Sequence, residues 1–205
     1  TGDVVAGRAM VRHADVHRVG VVGSVATGKA IARDAADDLT HVTLELGGKN
    51  PIIIFPDADP IKAAKMAVKG MNLNRQGQSC SSTSRIFVHE ALHDAVVEEM
   101  VRLAEAIPVG LPWIEGVEFG PIVSEHQRDR ILNMISSAKD EGAKLLTGGK
   151  APDDKTLENG FFVAPTVFDN VTQDMRIARE EIFGPVMSVL TWKDYETMLS
   201  EVNSL

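Results

Sequence analysis

Two groups of residues in this 205-residue chain have the types and spacing of catalytic side chains. The segment HEALH, residues 89–93, matches the H-E-x-x-H pattern that binds zinc in many metalloproteases. The second group joins a carboxylate, Glu45, to the only thiol of the chain, Cys80. The first group would activate a metal-bound water molecule, and the second would form a covalent bond between sulfur and substrate.

Zinc binding by H-E-x-x-H requires both histidines to project from one face of one helix. The residues before His89, IFV at 86–88, are β-branched and aromatic residues typical of a strand. His89 is therefore expected at the end of a strand, and the imidazoles of His89 and His93 would not share a face. The only later histidine, His126, belongs to a separate polar segment. The sequence favours a strand-to-helix junction here, and we predict no metal site.

The carboxylate and the thiol lie in contexts that suit chemistry. Glu45 closes an apolar run directly before a pair of glycines, and Cys80 lies in the polar segment NRQGQSCSSTSR between a predicted helix and a predicted strand. A lone cysteine is often a small buried hydrophobe, and a strand-end glutamate is often only a solvated charge. The polar neighbours of Cys80 are unusual for a core position. Paired with a thiol, Glu45 could remove a proton from it or from an attacking water.

The segment VGSVATG, residues 22–28, is a third candidate, with Gly23, Ser24 and Gly28 between a strand and a helix. Backbone amides at the start of a helix can bind a phosphate, and the helix dipole favours its negative charge. A simple strand-to-helix turn explains the pattern equally well. It is not the G-x-G-x-x-G fingerprint of dinucleotide-binding folds.

The composition limits the classes of protein that fit the chain. A formal net charge of −8 argues against a surface built for nucleic acid or for an anionic membrane. No apolar run approaches the ~20 residues of a membrane-spanning helix. With one cysteine the chain cannot form an internal disulfide, which fits the reducing cytoplasm. The first residues, TGDVVAGRAM, have no initiator Met and no signal-peptide layout, and we expect both ends to lie inside a longer protein.

Apolar runs alternate with helical patterns, which predicts an α/β fold with a largely parallel sheet and flanking helices. The predicted strands are 18–23, 42–46, 51–55, 84–89, 143–149 and 186–192. The predicted helices are 26–38, 57–71, 91–107 and 124–142. Asp59 and Ser124 have the side chains expected of helix N-caps.

Taken in order, these motifs resemble those of the aldehyde dehydrogenase superfamily, and the resemblance covers nearly the whole chain. The matching residues are Gly23-Ser24-x-x-x-Gly28, Glu45-Leu46-Gly47-Gly48-Lys49, Gly77-Gln78-x-Cys80 and Glu181-x-Phe183-Gly184-Pro185. In this family the segment around HEALH is a routine strand-to-helix junction, which also argues against zinc.

The resemblance implies a mechanism for the two catalytic candidates. Cys80 would attack the carbonyl of a small aldehyde substrate and form a thiohemiacetal. Hydride transfer to NAD or NADP would then leave a thioester, which water activated by Glu45 would hydrolyse to a carboxylate. The backbone amide of Cys80 would form half of an oxyanion hole.

The resemblance also implies the residues that would bind the cofactor. Two would act through the nicotinamide end: Glu181 on the ribose and Phe183 against the ring. The full set of predicted cofactor-binding residues is Gly23, Ser24, Gly28, Leu46, Gly47, Glu181 and Phe183. Val25 stands where the family often has Thr, so one hydroxyl near the phosphates is missing.

The family's proteins are more than twice this length, which implies a division of the chain. Residues 1–44 would be the C-terminal part of the NAD(P)-binding domain, and residues 45–205 most of the catalytic domain. The full-length protein would be a homodimer or homotetramer. "SVATGK" and "GQSCSSTSR" look most like the betaine-aldehyde and aminoaldehyde branch. A CoA-acylating semialdehyde dehydrogenase and a catalytically silent fragment remain alternatives, and Glu45 favours hydrolysis over the first.

Overall fold

The computed structural model describes residues 2–205, which form two compact units that divide between Gly48 and Lys49. The strands are β1 (Arg18–Gly23), β2 (His41–Leu46), β3 (Pro51–Ile54), β4 (Arg85–His89), β5 (Lys144–Thr147), β6 (Thr166–Asp169) and β7 (Val186–Trp192). The helices are α1 (Val4–Val11), α2 (Val25–Ala36), α3 (Pro60–Gly70), α4 (His93–Glu105), α5 (Glu125–Asp140), α6 (Arg176–Arg179) and α7 (Tyr195–Val202). None of the helices within residues 2–205 has both the length and the apolar character that crossing a bilayer requires.

The first unit contains two parallel strands and two helices. β1 and β2 pair in register from Arg18 opposite His41 to Gly23 opposite Leu46. α2 packs closely on β2, because a Cβ built on Gly28 would come within 2.7 Å of the Leu46 side chain. Because Gly28 has no side chain, α2 can approach β2 this closely.

The second unit is built on a five-stranded sheet in the order β3-β4-β7-β6-β5. All neighbouring strands are parallel except β5 and β6, which are antiparallel. The predicted α/β class with a largely parallel sheet is confirmed. Whether the two units correspond to the end of a cofactor domain and to a catalytic domain stays a prediction.

The core of the second unit lies on both faces of this sheet. Alternate residues of β4 point to opposite faces, so Phe87 packs with α5 and α6 while Ile86 and Val88 pack with α3 and α4. Because both faces are covered by helices, nearly every residue of the central strands β4 and β7 is buried, and buried residues do not alternate with exposed ones.

The side chain of Arg85, at the start of β4, is buried to 2% exposure and ties several segments together. Its guanidinium donates to the carbonyl oxygens of Lys49 at 2.8 Å, Glu201 at 3.3 Å and Val202 at 3.1 Å. The last two oxygens belong to the C-terminal turn of α7, where the helix dipole favours a cation. A fourth bond goes to the side-chain oxygen of Gln173.

All six predicted strands and all four predicted helices are present, although the helix expected from residue 91 begins as α4 at His93 after a short 3₁₀ turn. The sequence analysis did not predict four further elements, which are β6, α1, α6 and α7. β6 has four residues, all buried, and so offers no period-2 signal.

We predict that Arg85→Met lowers the free energy of unfolding by about 3 kcal/mol, because three buried carbonyl oxygens lose their donor. The matched control is Arg176→Met, which removes a half-exposed ion pair with Glu180 and should cost less than about 1 kcal/mol. Urea unfolding followed by circular dichroism measures both. Equal losses in the two variants would contradict a central role for Arg85.

Candidate active site

Cys80 lies in the irregular segment between the end of α3 and the start of β4. Its side chain is exposed, and the segment around it is rich in internal hydrogen bonds. The Ser82 hydroxyl is buried and donates to the carbonyl oxygen of Met71 at 2.9 Å. The hydroxyls of Ser79 and Ser81, on either side of Cys80, lie 3.0 Å apart. The loop is thus fixed around a thiol that stays open to solvent.

Both peptide groups that flank Cys80 are anchored through their carbonyl oxygens. The Ser82 amide donates to Ser79 O at 3.1 Å, and the Asn50 side-chain amide donates to Cys80 O at 2.7 Å. In a trans peptide the N–H points away from the C=O, so the first bond directs the Cys80 N–H to the opposite side. Within the second unit this N–H donates no hydrogen bond. It is free to stabilise an oxyanion formed beside the sulfur.

Gly77 brings the Cys80 loop against the segment that holds Glu181 and Phe183. Its φ is +66°, and a Cβ built there would lie 2.3 Å from the carbonyl oxygen of Gly184. On its other side Gly184 packs on α5, where a Cβ would meet Ile131 at 2.5 Å. Two of the matched motifs, far apart in the chain, therefore meet through backbone contact.

The backbone of the segment from Glu181 to Phe183 is held by two side chains of α5. Gln127 Nε2 donates to the carbonyl oxygens of Ile182 and Phe183, both at 2.9 Å. Arg130 donates to those of Glu181 at 2.6 Å and Ile182 at 3.1 Å. These bonds hold Phe183 in the left-handed region at φ +55°, with a side chain that is 37% exposed. The sequence analysis missed Gln127 and Arg130.

Lys49, part of a matched motif but without a predicted role, has a buried ammonium group. Its Nζ has no hydrogen-bond partner among residues 2–205. Burial, together with the nearby charge of Arg85, lowers the pKa of Lys49 to about 7, although the Glu181 carboxylate acts in the opposite direction. The Glu181 carboxylate therefore favours the protonated form of Lys49.

In the first unit, predicted residues meet where β1 and β2 end. Gly23 pairs with Leu46, and Glu45 is the residue before Leu46 on the neighbouring strand. Gly47 follows β2 directly. The carboxyl edge of a parallel sheet is where α/β folds bind ligands. Glu45 belongs to the first unit and Cys80 to the second, and their pairing in one site remains a prediction.

The N-terminus of α2 lies at the same edge of the first unit. Ser24 is the N-cap, and its Oγ accepts from the Thr27 amide at 3.1 Å. The amides of Val25 and Ala26 donate no hydrogen bond within this unit, and the first turn has no acidic residue. Two free donors and a positive dipole end suit a phosphate group. Gly28 acts one turn later, through its packing on Leu46.

The histidines of the H-E-x-x-H pattern occupy a strand end and a helix start. His89 closes β4, and its Nδ1 accepts from the Ala91 amide. His93 begins α4 and lies between two carboxylates, with Nδ1 2.8 Å from Asp94 and Nε2 2.9 Å from Asp169. Among the residues that the structure describes, no group of His, Cys, Asp and Glu is arranged to hold a metal ion. His93 links α4 to β6.

The chain is similar to known aldehyde dehydrogenases. The model of the aldehyde dehydrogenase family matches residues 1–205. Aldehyde dehydrogenase tropH of Talaromyces stipitatus is 46% identical over 207 residues, which cover 99% of this chain and 40% of that protein. A betaine aldehyde dehydrogenase of Brucella anthropi is 46% identical over 202 residues, 98% of this chain and 41% of that protein.

The fold is also similar to that of a solved aldehyde dehydrogenase structure. The NAD+ complex of an aldehyde dehydrogenase from Bacillus cereus matches with a TM-score of 0.91 at 44% identity, over 97% of this chain and 39% of that chain. The chain spans about two fifths of the length of the curated relatives that it matches.

We predict that Gly77→Ala lowers the free energy of unfolding by about 3 kcal/mol or more, because a positive φ and a clash with Gly184 O combine. Gly116→Ala is the matched control, since Gly116 has φ +84° but no atom within 4 Å of an added Cβ. It should cost only the conformational part, about 1–2 kcal/mol. Denaturant unfolding distinguishes the two, and similar losses would rule out the backbone contact.

We predict that protonation of His93 stabilises the fold. Burial lowers the pKa of His93, but hydrogen bonds to Asp94 and Asp169 raise it by more, so the net pKa in the folded chain lies above 6.5. The contribution is complete below the unfolded pKa and is lost as the pH rises through the folded pKa.

The difference in unfolding free energy between the wild type and His93→Gln should therefore shrink as the pH rises from about 6 towards alkaline values. Urea unfolding at a series of pH values measures it, with His126→Gln, an exposed histidine of α5, as the control. A difference that is constant with pH would contradict the prediction.

Proposed function

Because the chain belongs to the aldehyde dehydrogenase family, as its motifs predict, we propose that it oxidises an aldehyde to a carboxylate with Cys80 as the nucleophile and NAD or NADP as the hydride acceptor. The observation that carries this proposal is the exposed thiol of Cys80 beside its own unpaired amide N–H, on a loop whose flanking peptides are anchored. A nucleophile and an oxyanion donor on one residue suit attack on a carbonyl.

The first step is attack of the Cys80 sulfur on the aldehyde carbon. The thiol loses its proton to solvent, the C–S bond forms as the carbonyl π electrons move to oxygen, and the resulting oxyanion accepts a hydrogen bond from the Cys80 N–H. Loss of one such donor lowers rates by about 10²–10³ in other enzymes. The anchored loop holds this N–H ready before the substrate arrives, so no reorganisation is needed during the reaction.

The residues present fit a dinucleotide. The unpaired amides of Val25 and Ala26 with the Ser24 cap would hold a phosphate, and the Glu181 carboxylate would accept from ribose hydroxyls. When bound, NAD or NADP supplies the acceptor for the hydride that leaves the carbon attached to Cys80. The hydrogen bond from Arg130 to Glu181 O keeps this residue in place for the contact, and the bonds from Gln127 hold the two residues that follow it.

Glu45 would complete the reaction as the general base. Its carboxylate takes a proton from a water molecule whose oxygen attacks the acyl carbon, and the C–S bond then breaks to release the acid and free Cys80. The fixed end of β2 holds Glu45, while its side chain stays exposed and so reaches water.

Betaine aldehyde is the substrate that we favour, with other aminoaldehydes as close alternatives. Support comes from the Brucella relative that carries the name betaine aldehyde dehydrogenase, at 46% identity. We also propose that residues 1–44 end the cofactor domain, that residues 45–205 belong to the catalytic domain, and that the full-length protein is a cytoplasmic homodimer or homotetramer.

The test is acylation of the chain by p-nitrophenyl acetate near neutral pH, followed by intact-mass analysis and peptide mapping. This reaction needs the nucleophile but no cofactor. We expect a single acetyl group on Cys80 of the wild type, slow release of that group, and no acetylation of Cys80→Ala. Glu45→Gln should retain the acetyl group at least about tenfold longer, since general-base catalysis contributes about 10²–10⁴.

Glu98→Gln, an exposed glutamate of α4, is the control and should release the acetyl group like the wild type. Equal release from Glu45→Gln and the wild type would overturn the role of Glu45. A folded wild-type chain that takes up no acetyl group would overturn the proposed activity of this chain.

A further inference from the structure

We propose that Asn50 is a positioning residue for the nucleophile: by holding the carbonyl of Cys80, its side-chain amide orients the Cα–Cβ bond that carries the sulfur relative to the Cys80 N–H, so that both groups can reach the same substrate carbonyl. This inference rests on the function proposed above. Neither the matched motifs nor the comparisons give Asn50 a role.

The hydrogen bonds of Asn50 fix the backbone just after the nucleophile. Its Nδ2 donates to the carbonyl oxygen of Cys80 at 2.7 Å and to that of Ser82 at 3.2 Å. The first bond fixes the peptide plane that follows Cys80, and the bond from the Ser82 amide to Ser79 O fixes the plane that precedes it. With both planes fixed, φ and ψ of Cys80 are set. The angle between its Cα–Cβ bond and its N–H is then set as well.

Asn50 itself rests on a rigid support. It immediately precedes β3, and its own carbonyl oxygen accepts from the Arg85 amide at 3.3 Å. The residue before it, Lys49, accepts from the buried Arg85 side chain at 2.8 Å. Sites held by strands are placed more accurately than sites held by loops alone, so Asn50 transfers the position of the sheet to the Cys80 loop.

The amide suits this role because it is neutral and has two donor hydrogens. One Nδ2 can therefore bridge two carbonyl oxygens without adding a charge beside the thiol. Asn72 offers a comparison within the same loop. Its Nδ2 lies 3.4 Å from Gly70 O and 3.4 Å from Ser81 Oγ, and it makes no bond to the backbone of Cys80.

Two reactions of Cys80 separate positioning from simple reactivity. Acylation by p-nitrophenyl acetate forms a C–S bond at a carbonyl carbon, passes through an oxyanion and expels p-nitrophenolate, so it uses the Cys80 N–H. Alkylation by iodoacetamide forms a C–S bond at a saturated carbon as iodide leaves, and no oxyanion develops. In both reactions the thiol proton is lost to solvent. The ratio of the two rates therefore reports how well the N–H is aimed.

The experiment compares the wild type, Asn50→Ala and Asn72→Gly, with both rates followed by intact mass at one pH. We expect Asn50→Ala to slow acylation about tenfold or more, which is less than the about 10²–10³ that complete loss of an oxyanion donor costs. Alkylation should change less than about twofold. Asn72→Gly removes the other amide while tolerating the positive φ of that position, and should leave the ratio unchanged. Asn50→Ser, which can donate to one carbonyl only, should give an intermediate ratio.

Circular dichroism and urea unfolding establish that each variant is folded, and Asn50→Ser carries the test if Asn50→Ala is not. An unchanged ratio in folded Asn50 variants overturns the inference, and so does a parallel loss of both rates, which a merely structural role would produce. A folded wild-type chain that is alkylated but not acylated overturns the proposed function, and this inference with it.

Discussion

The arrangement of the second unit depends on a contact between two backbones. Gly77 lies so close to the carbonyl of Gly184 that no side chain fits between them, and Gly184 in turn rests on Ile131 of α5. The loop with Cys80 and the segment with Glu181 are therefore layers of one packed stack. Because protein interiors pack at the density of organic crystals, a shift in one layer must move the others. The packing of the core in this way sets where the Cys80 loop lies relative to the segment that contains Glu181.

Two buried cations near the start of β4, Arg85 and Lys49, compensate for the loss of hydration in different ways. Burial lowers the pKa of Arg85, yet a guanidinium keeps its proton, and its charge is compensated by carbonyl oxygens at the end of α7. Among residues 2–205, no carboxylate forms an ion pair with Arg85 and no acceptor lies within hydrogen-bond distance of Lys49 Nζ. Lys49 responds to burial through its pKa, which falls to about 7. The same environment thus yields one permanent structural charge and one group whose proton is exchangeable near neutrality.

The sequence contained enough information for the fold class, because strand and helix periods, and caps such as Asp59 and Ser124, are local signals. It also pointed to Cys80, through its unusually polar neighbours, and to Glu45, through the glycine pair that follows it, and their catalytic roles stay predictions. It could not reveal Asn50, Gln127 or Arg130. Their partners are backbone carbonyls, which every residue has, and the pairs are distant in the chain. Such contacts produce no characteristic spacing of residues in the sequence, and the partners come together only in the folded chain.

The order of strands in the second sheet also determines when each strand can pair during folding. β4 pairs with β3, made shortly before it, but its other edge stays unpaired until β7 is made near the end of the chain. The guanidinium of Arg85 likewise waits for the carbonyls of α7. Non-local pairing of this kind is slow, and open apolar strand edges invite aggregation. During synthesis on the ribosome, one apolar edge of β4 therefore stays unpaired until β7 has been made, and over this interval the incomplete sheet is prone to aggregation.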